Sequence, residues 1–473
     1  MRTLADQLRA LVGDGGVLDQ PTDVEGYRGD LAVRGDGEIV CVVRPRTARE
    51  LSGIVRLCAA EGVALVPRGG GTGLCGGAAV VAGHRSVVVA FERMSAIRSI
   101  DRASASMVAE AGCTLHDLRE AAAANDCLFA IDHGGLSSQL GGNLATNAGG
   151  NNVLRYGMAR DQVLGLEVVL ASGEIVSELA PLPKNNAGYD LKQIVVGSEG
   201  TLGLITAAAV KLHPAPRTRV CACVGLTSVA AALDLFSLAR DALGASISAF
   251  ELLPRAGLDL WFRHAGKSAE PFPTPTPWAV LVEADLANVR FDLSAAMEDV
   301  LADASRRGLV VDGTIAMSEA QRRNLWRLRE GIPIAMIETP GSLKADTAVP
   351  IARIPEFIAA AGGAVAALAP GCIAVPFGHV GDGNIHFNVL PPPGMAGEAF
   401  ATRHGDLARA IEDVALSLGG TVSAEHGIGV TKREALRRMR SPAALDAMRA
   451  LKAALDPDGI LNPGKVLPPM DGP

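Results

Sequence analysis

The pattern of apolar and polar positions changes period along this chain. From Thr47 to Gly62 (TARELSGIVRLCAAEG) apolar residues recur at helical spacing and a glycine closes the run, which predicts a helix over 47–62. The continuous apolar run Val63-Ala64-Leu65-Val66 predicts a strand, as do Val87–Phe91, Met107–Ala109 and Val163–Leu170, the last followed by a Ser172-Gly173 turn. Leu115–Ala124 reads as a helix with Thr114 as its N-cap. This mixed pattern ends near Leu212-His213-Pro214-Ala215-Pro216, where two prolines punctuate the chain. From about residue 217 to 420, strands (Val220–Leu226, Trp278–Glu283) alternate with amphipathic helices such as Ser318–Glu330. Ala-rich stretches at 355–369 and 444–455 also predict helices, and four prolines predict a loop over 268–277. There is no internal repeat. The pattern is α+β, divided at 1–216, 217–420 and 421–473.

Composition narrows the class. A chain of 473 residues exceeds what a single core holds, and 48% apolar with 20% charged residues is a globular enzyme's profile. A formal charge of -7 without a basic face argues against nucleic-acid binding. The eight cysteines form no CxxC pair, so no iron–sulfur or zinc-knuckle ligand set is encoded. Cys221 and Cys223 lie in the alternating run Val-Cys-Ala-Cys-Val of a buried strand, and free thiols in a reducing cytoplasm follow. The first twenty residues carry helical spacing with charges, unlike a secretory signal. No run of about 18 apolar residues is free of charge and proline, so no spanning helix is expected. The expected compartment is the cytoplasm.

Three glycine-dense segments, 69–77, 134–150 and 197–203, fall in the first half. Glycine permits close backbone approach, and its bare N–H groups can cradle phosphate. Gly71-Thr72-Gly73-Leu74-Cys75-Gly76 matches GxGxxG after a strand, with Glu92 about twenty residues on, as in a nicotinamide-binding unit. That fingerprint needs a helix to start in the glycine turn. Gly77–Ser86 is short, holds two further glycines and lacks a helical apolar stripe, so the loop is read as a phosphate loop outside a Rossmann unit.

The second half carries Gly378-His379-Val380-Gly381-Asp382-Gly383-Asn384-Ile385-His386-Phe387-Asn388, followed some forty residues later by Ser423-Ala424-Glu425-His426-Gly427. Alternation from Ile385 to Val389 puts His386 and Asn388 on one strand face, and a glycine turn can fold His379 back beside His386. Two imidazoles and a carboxylate make a divalent-metal set with open positions, zinc first and manganese second. A further histidine can serve as a base near neutral pH.

The glycine segments resemble those of the vanillyl-alcohol oxidase and p-cresol methylhydroxylase flavoproteins. Pro67-Arg68-Gly69-Gly70-Gly71-Thr72-Gly73-Leu74 is similar to that family's first pyrophosphate loop. The run 134–150 resembles its second, and the run 196–206 its third FAD-contacting segment. The resemblance implies FAD contacts from that first loop, from Gly134, Gly135, Ser138, Gly141, Gly142, Asn143, Thr146, Asn147, Gly149 and Gly150, and from Glu199, Gly200, Gly203 and Ile205. The first loop has no histidine, so non-covalent FAD is implied. The histidine half and the tail Leu455-Asp456-Pro457-Asp458-Gly459-Ile460-Leu461-Asn462-Pro463-Gly464-Lys465 resemble FAD-linked D-2-hydroxy-acid dehydrogenases, so the likeness spans nearly the whole chain. It implies a two-part FAD-binding domain over 1–216, an α+β substrate domain over 217–420, and a helical C-terminal segment over 421–473 that completes the active site. His379, His386 and Glu425 would bind the metal, His426 would be the catalytic base, and Asn388 would contact substrate.

In the D-2-hydroxyglutarate branch of that family an arginine and a lysine hold the distal carboxylate, and Arg329 and Lys344 stand at the matching positions. Such charge-assisted bonds suit a second carboxylate. The branch carries a threonine four residues after that arginine, where this chain has Pro333, which keeps D-malate open beside D-2-hydroxyglutarate. The rival substrates are monoacids, as for a D-lactate dehydrogenase or glycolate oxidase subunit. A non-catalytic flavin-binding relay subunit would lack the histidine set that this chain retains. By resemblance the electron acceptor is electron-transfer flavoprotein or a quinone, and the assembly a homodimer.

Overall fold

A computed structural model describes residues 2–266 and 270–469 of the chain. They form two compact units: 2–150, 157–215 and 425–469 make the first, and 151–156 with 216–266 and 270–424 make the second. Of the proline-rich stretch 268–277, residues 268 and 269 lie outside the described part, and the remainder forms no helix or strand before Trp278.

The first unit holds two main sheets. One has four strands in the order Val17–Leu18, Glu38–Val43, Arg85–Ala90, Ala64–Arg68, and the last three run parallel. Parallel neighbours need a crossover, and this one is made by residues 69–84 without any helix. The absence of a helix there confirms that the GxGxxG match is no Rossmann turn. The helix Ala48–Ala60 begins at Thr47, whose side chain accepts the Glu50 N–H, and it buries Leu51, Ile54, Val55 and Cys58. The other main sheet is antiparallel, in the order Ile97–Asp101, Ser106–Glu110, Leu204–Lys211, Val163–Val169, Ile175–Glu178. The chain's last long helix, Pro442–Leu455, and the tail after it also belong to this unit.

The second unit is built on a seven-stranded antiparallel sheet. Its order is Val310–Ile315, Thr218–Leu226, Trp278–Leu286, Ile247–Pro254, Ile373–His379, Asn384–Leu390, Asp346–Ala348. Alternation along Thr218–Leu226 serves both faces. Val220, Ala222 and Val224 pack with the helices Val229–Leu243, Leu293–Arg306, Ile354–Leu368 and His404–Ser417, whereas Cys221 and Cys223 pack with Arg255–His264 and Glu319–Ile337. Ile351–Leu368 is long and apolar enough to cross a membrane by length and composition, and it buries Ile354, Phe357, Ala361 and Val365 in this core. All eight cysteines are free thiols.

One helix differs from the sequence reading. The helix foreseen over Ser318–Glu330 runs on to Ile337 with Pro333 inside it. Proline withholds the N–H that would close on the Arg329 carbonyl. Burial of Ile332, Ala335 and Met336 against the sheet offsets that loss, so tertiary packing carries the helix through the breaker.

Candidate active site

In the first unit the strand Ala64–Arg68 delivers the loop that starts at Gly69. A Cβ on Gly70 would lie 2.5 Å from the Ser137 carbonyl oxygen, so only glycine lets the first two glycine segments meet. Arg68 folds back against Gly71 of the loop: its Nε donates to the Gly29 carbonyl at 3.2 Å, and its guanidinium lies 4.9 Å over the Tyr27 ring. Thr72 is half-buried, and Gly73 and Leu74 are exposed. In the second segment His133 organises the polar groups, with its Nε2 3.0 Å from Asn143 Oδ1 and 3.2 Å from Ser138 Oγ. Asn147, in the left-handed region at φ 50, accepts the Arg160 N–H at 2.9 Å, and Thr146 Oγ1 donates to the Gly142 carbonyl at 3.0 Å.

The third segment is mainly a bracket. The Glu199 carboxylate accepts the N–H groups of Ile428 and Gly429 at 2.7 and 2.8 Å. Burial raises its pKa against the opposing pull of those two N–H groups. Ile205 is buried in the core beside Val168.

Whether this cradle suits a flavin nucleotide can be judged from its polar atoms. Gln139 Oε1, Asn143 Nδ2 and Ser198 Oγ, at the second and third segments, are buried without a hydrogen-bond partner. Buried polar atoms are normally paired, and a cofactor rich in phosphate, ribose and ring heteroatoms supplies what these lack. The residues fit FAD.

In the second unit the hairpin of Ile373–His379 and Asn384–Leu390 aligns the candidate residues by register. His379 stands opposite Asn384, Phe377 opposite His386, and Val375 opposite Asn388, so these residues share one sheet face. The turn Gly381-Asp382-Gly383 brings the His379 and His386 rings to 5.6 Å, edge to face. Asp346, on the next strand, pairs with His386, and its Oδ1 lies 3.9 Å from His386 Nδ1. Asn384 Nδ2 donates to Asp346 Oδ1 at 3.0 Å and the Ala424 N–H to its Oδ2 at 3.1 Å. The pairings Asp346–His386 and Leu343–Val389 place Lys344 opposite Asn388. Lys344 is exposed, yet neighbouring atoms desolvate its ammonium and lower its pKa. Asn388 is buried, and its Oδ1 accepts the Ala345 N–H at 3.2 Å.

Arg329 is no surface charge. It is buried, its Nε donates to Glu251 Oε2 at 2.5 Å, and its guanidinium lies 4.9 Å over the Phe377 ring. The other oxygen of Glu251 is 2.6 Å from His379 Nδ1. Burial pushes the Glu251 pKa up, but the charges of His379 and Arg329 outweigh it and hold the carboxyl down at about 2. For His379, burial works against protonation and the Glu251 carboxylate prevails, raising it to about 9.

Glu425 and His426 are the first residues of the chain's return to the first unit, and their side chains approach to 3.8 Å. Sequence reasoning missed Glu251, Asp346, Phe377 and His133. The available signal for Glu251 was its being the one charged residue in the strand ISAFELLP. Asp346 offered none, standing in a polar stretch like many others.

These loops and this face define a flavin-dependent oxidoreductase with the vanillyl-alcohol oxidase fold. Residues 39–178 match the FAD binding domain family, and residues 215–466 match the family described as FAD linked oxidases, C-terminal domain. The chain belongs to the FAD-linked D-2-hydroxy-acid dehydrogenases. It is 38% identical to the mitochondrial D-2-hydroxyglutarate dehydrogenase of Bos taurus, over 98% of this chain and 84% of that protein. It is 34% identical to the D-2-hydroxyglutarate dehydrogenase of Stutzerimonas stutzeri, over 98% of both. A solved structure of p-cresol methylhydroxylase with substrate bound superposes with a TM-score of 0.78 at 17% identity, over 98% of this chain and 96% of the other. That likeness concerns the fold.

Proposed function

We propose that the chain oxidises a D-2-hydroxy diacid, D-2-hydroxyglutarate or its shorter homologue D-malate, to the 2-oxo acid. The observation that carries this reading is the register of Lys344 opposite Asn388, two residue pairs beyond Asp346–His386 and so on the same sheet face. The names of the bovine and Stutzerimonas relatives support it. Glu251 neutralises much of the charge of Arg329, which permits a guanidinium to be buried at all. Lys344 then brings the net positive charge toward a second carboxylate, while Arg329 offers directional donors held flat on Phe377.

Two imidazoles with ring centres 5.6 Å apart suit zinc, or manganese, and Nδ1 of His379 is engaged by Glu251 at 2.6 Å, so Nε2, 3.4 Å from Arg329 Nη2, is the nitrogen that would coordinate. On sequence grounds Glu425 is taken as the third ligand and His426 as the base. When bound, FAD supplies the two-electron acceptor for the hydrogen leaving Cα, and a divalent ion supplies the charge that lowers the pKa of the substrate hydroxyl. His426 takes the hydroxyl proton, Asn388 contacts the substrate, and Arg329 and Lys344 fix its distal end. Orientation by these groups is worth several kcal/mol of the barrier. The reading includes non-covalent flavin, reoxidation by electron-transfer flavoprotein or a quinone, a cytoplasmic site and a homodimer.

The test is a dye-linked assay of the purified protein on D- and L-lactate, D- and L-malate, D- and L-2-hydroxyglutarate and glycolate. A D-diacid should give the highest kcat/KM. Preference for a monoacid would overturn the diacid assignment.

A further inference from the structure

We infer that Glu251 is a positioning residue for both ends of the substrate site, orienting His379 as a metal ligand and seating Arg329. This rests on the metal and diacid reading above and extends it to a residue 128 positions before His379 whose two carboxylate oxygens are both engaged by side chains.

Glu251 lies on Ile247–Pro254, and the antiparallel register sets it directly opposite His379 on the neighbouring strand. It is 1% exposed. Each oxygen is committed to one partner: Oε1 to His379 Nδ1 at 2.6 Å and Oε2 to Arg329 Nε at 2.5 Å. Arg329 closes the triangle, its Nη2 3.4 Å from His379 Nε2. The carboxylate assigns the ring. An acceptor at Nδ1 holds a proton there, so the nitrogen that can offer a lone pair is Nε2. A neutral imidazole with its free pair on Nε2 is the form that coordinates a cation. Ligating histidines commonly donate their second ring N–H to a carboxylate, which fixes the tautomer and raises ligand basicity.

A buried ion pair serving stability alone would have no bearing on which histidine nitrogen carries the proton. That difference makes the assignment testable. The flavin-loaded protein, stripped of metal, is titrated with zinc in competition with a chromophoric chelator. Glu251→Gln preserves shape but removes the charge. The pair Glu251→Leu with Arg329→Met replaces both buried charges by apolar groups, a change that folds tolerate better than an orphaned charge. Zinc affinity should fall about 10–100-fold in both, the usual loss when such an outer partner is removed, while the flavin absorbance stays unchanged. Zinc affinity equal to that of the wild type in either folded variant overturns the proposal. A wild type that binds no zinc overturns the metal reading itself, a separate result. Should neither variant fold, 15N spectra of zinc-loaded wild type decide, with the His379 signals assigned through His379→Gln. A proton on Nδ1 with zinc on Nε2 supports the proposal, and the reverse tautomer ends it.

Discussion

Asn462 holds Glu199 from behind. Its single amide nitrogen donates to the Glu199 carbonyl at 2.7 Å and to the Gly77 carbonyl at 2.9 Å, joining the closing tail to the first and third glycine segments. The tail is further fixed by bonds between Leu65 N–H and the Ile460 carbonyl and between Asn462 N–H and the Leu65 carbonyl, both 2.8 Å. The cofactor cradle thus depends on residues near the other end of the chain.

Asn462→Ala should therefore act on flavin retention. The buried Glu199 carbonyl would lose its donor, at a cost of about 1–3 kcal/mol, and the half-buried Gly77 carbonyl would lose one too. The variant should melt at lower temperature and lose flavin on gel filtration where the wild type stays yellow. An unchanged melting temperature and full flavin content would show that the tail plays no part in the cradle.

Chelation separates the two cofactors. Treatment with a strong chelator should abolish turnover and leave the flavin spectrum intact, with zinc or manganese restoring the rate. His386→Ala should reproduce the chelated state, since the ligand set loses an imidazole. Full activity after exhaustive chelation would refute a role for the metal.

Base and substrate anchor should part in steady-state kinetics. His426→Ala should lower kcat by about 10²–10⁴-fold with a smaller change in KM, because proton transfer belongs to the transition state. Lys344→Met removes a charge-assisted bond worth roughly 1.5–3 kcal/mol, so kcat/KM for a D-diacid should fall about 10–150-fold. The rate on D-lactate should be unchanged. Equal losses on both substrates would make Lys344 structural.

Thiol chemistry tests the two cores. Burial pushes Cys41, Cys58 and Cys223 up to about 12 and Cys113 to about 11. Only thiolate reacts with alkylating agents, so raising the pH by a unit from about 8 leaves these groups inert. Mass analysis of the native protein should find modification at Cys127 and Cys372 at most, the two that are not buried, and at all eight in denaturant. Native labelling of Cys223 would contradict the packing of the second sheet.

The outcome divides by how local the signal is. Strand–loop punctuation at Val63–Leu74 and alternation at Ile385–Val389 are nearest-neighbour patterns, and both reappear as structure. The helix end was misplaced because Pro333 breaks a helix only if nothing else holds it, and Ile332, Ala335 and Met336 are held by a sheet built from distant strands. Glu251 escaped notice for the same reason. A lone acid in an apolar strand has no meaning until register sets it against His379 and a helix brings Arg329 to its other oxygen.

The division of the chain also governs its biogenesis. Apart from residues 151–156, the second unit is one uninterrupted stretch, 216–424, whereas the first cannot close until 425–473 has been made. At a synthesis rate of roughly 5–20 residues per second, the strand Ala64–Arg68 waits about 20 to 80 seconds for the Ile460–Asn462 segment that bonds to it. During that interval the amino-terminal half is a nascent chain with an unfinished sheet, exposed to chaperones and proteases. A truncation that removes Ile460–Asn462 deprives Leu65, Gly77 and Glu199 of their bonds to the tail, and flavin retention should fall with them.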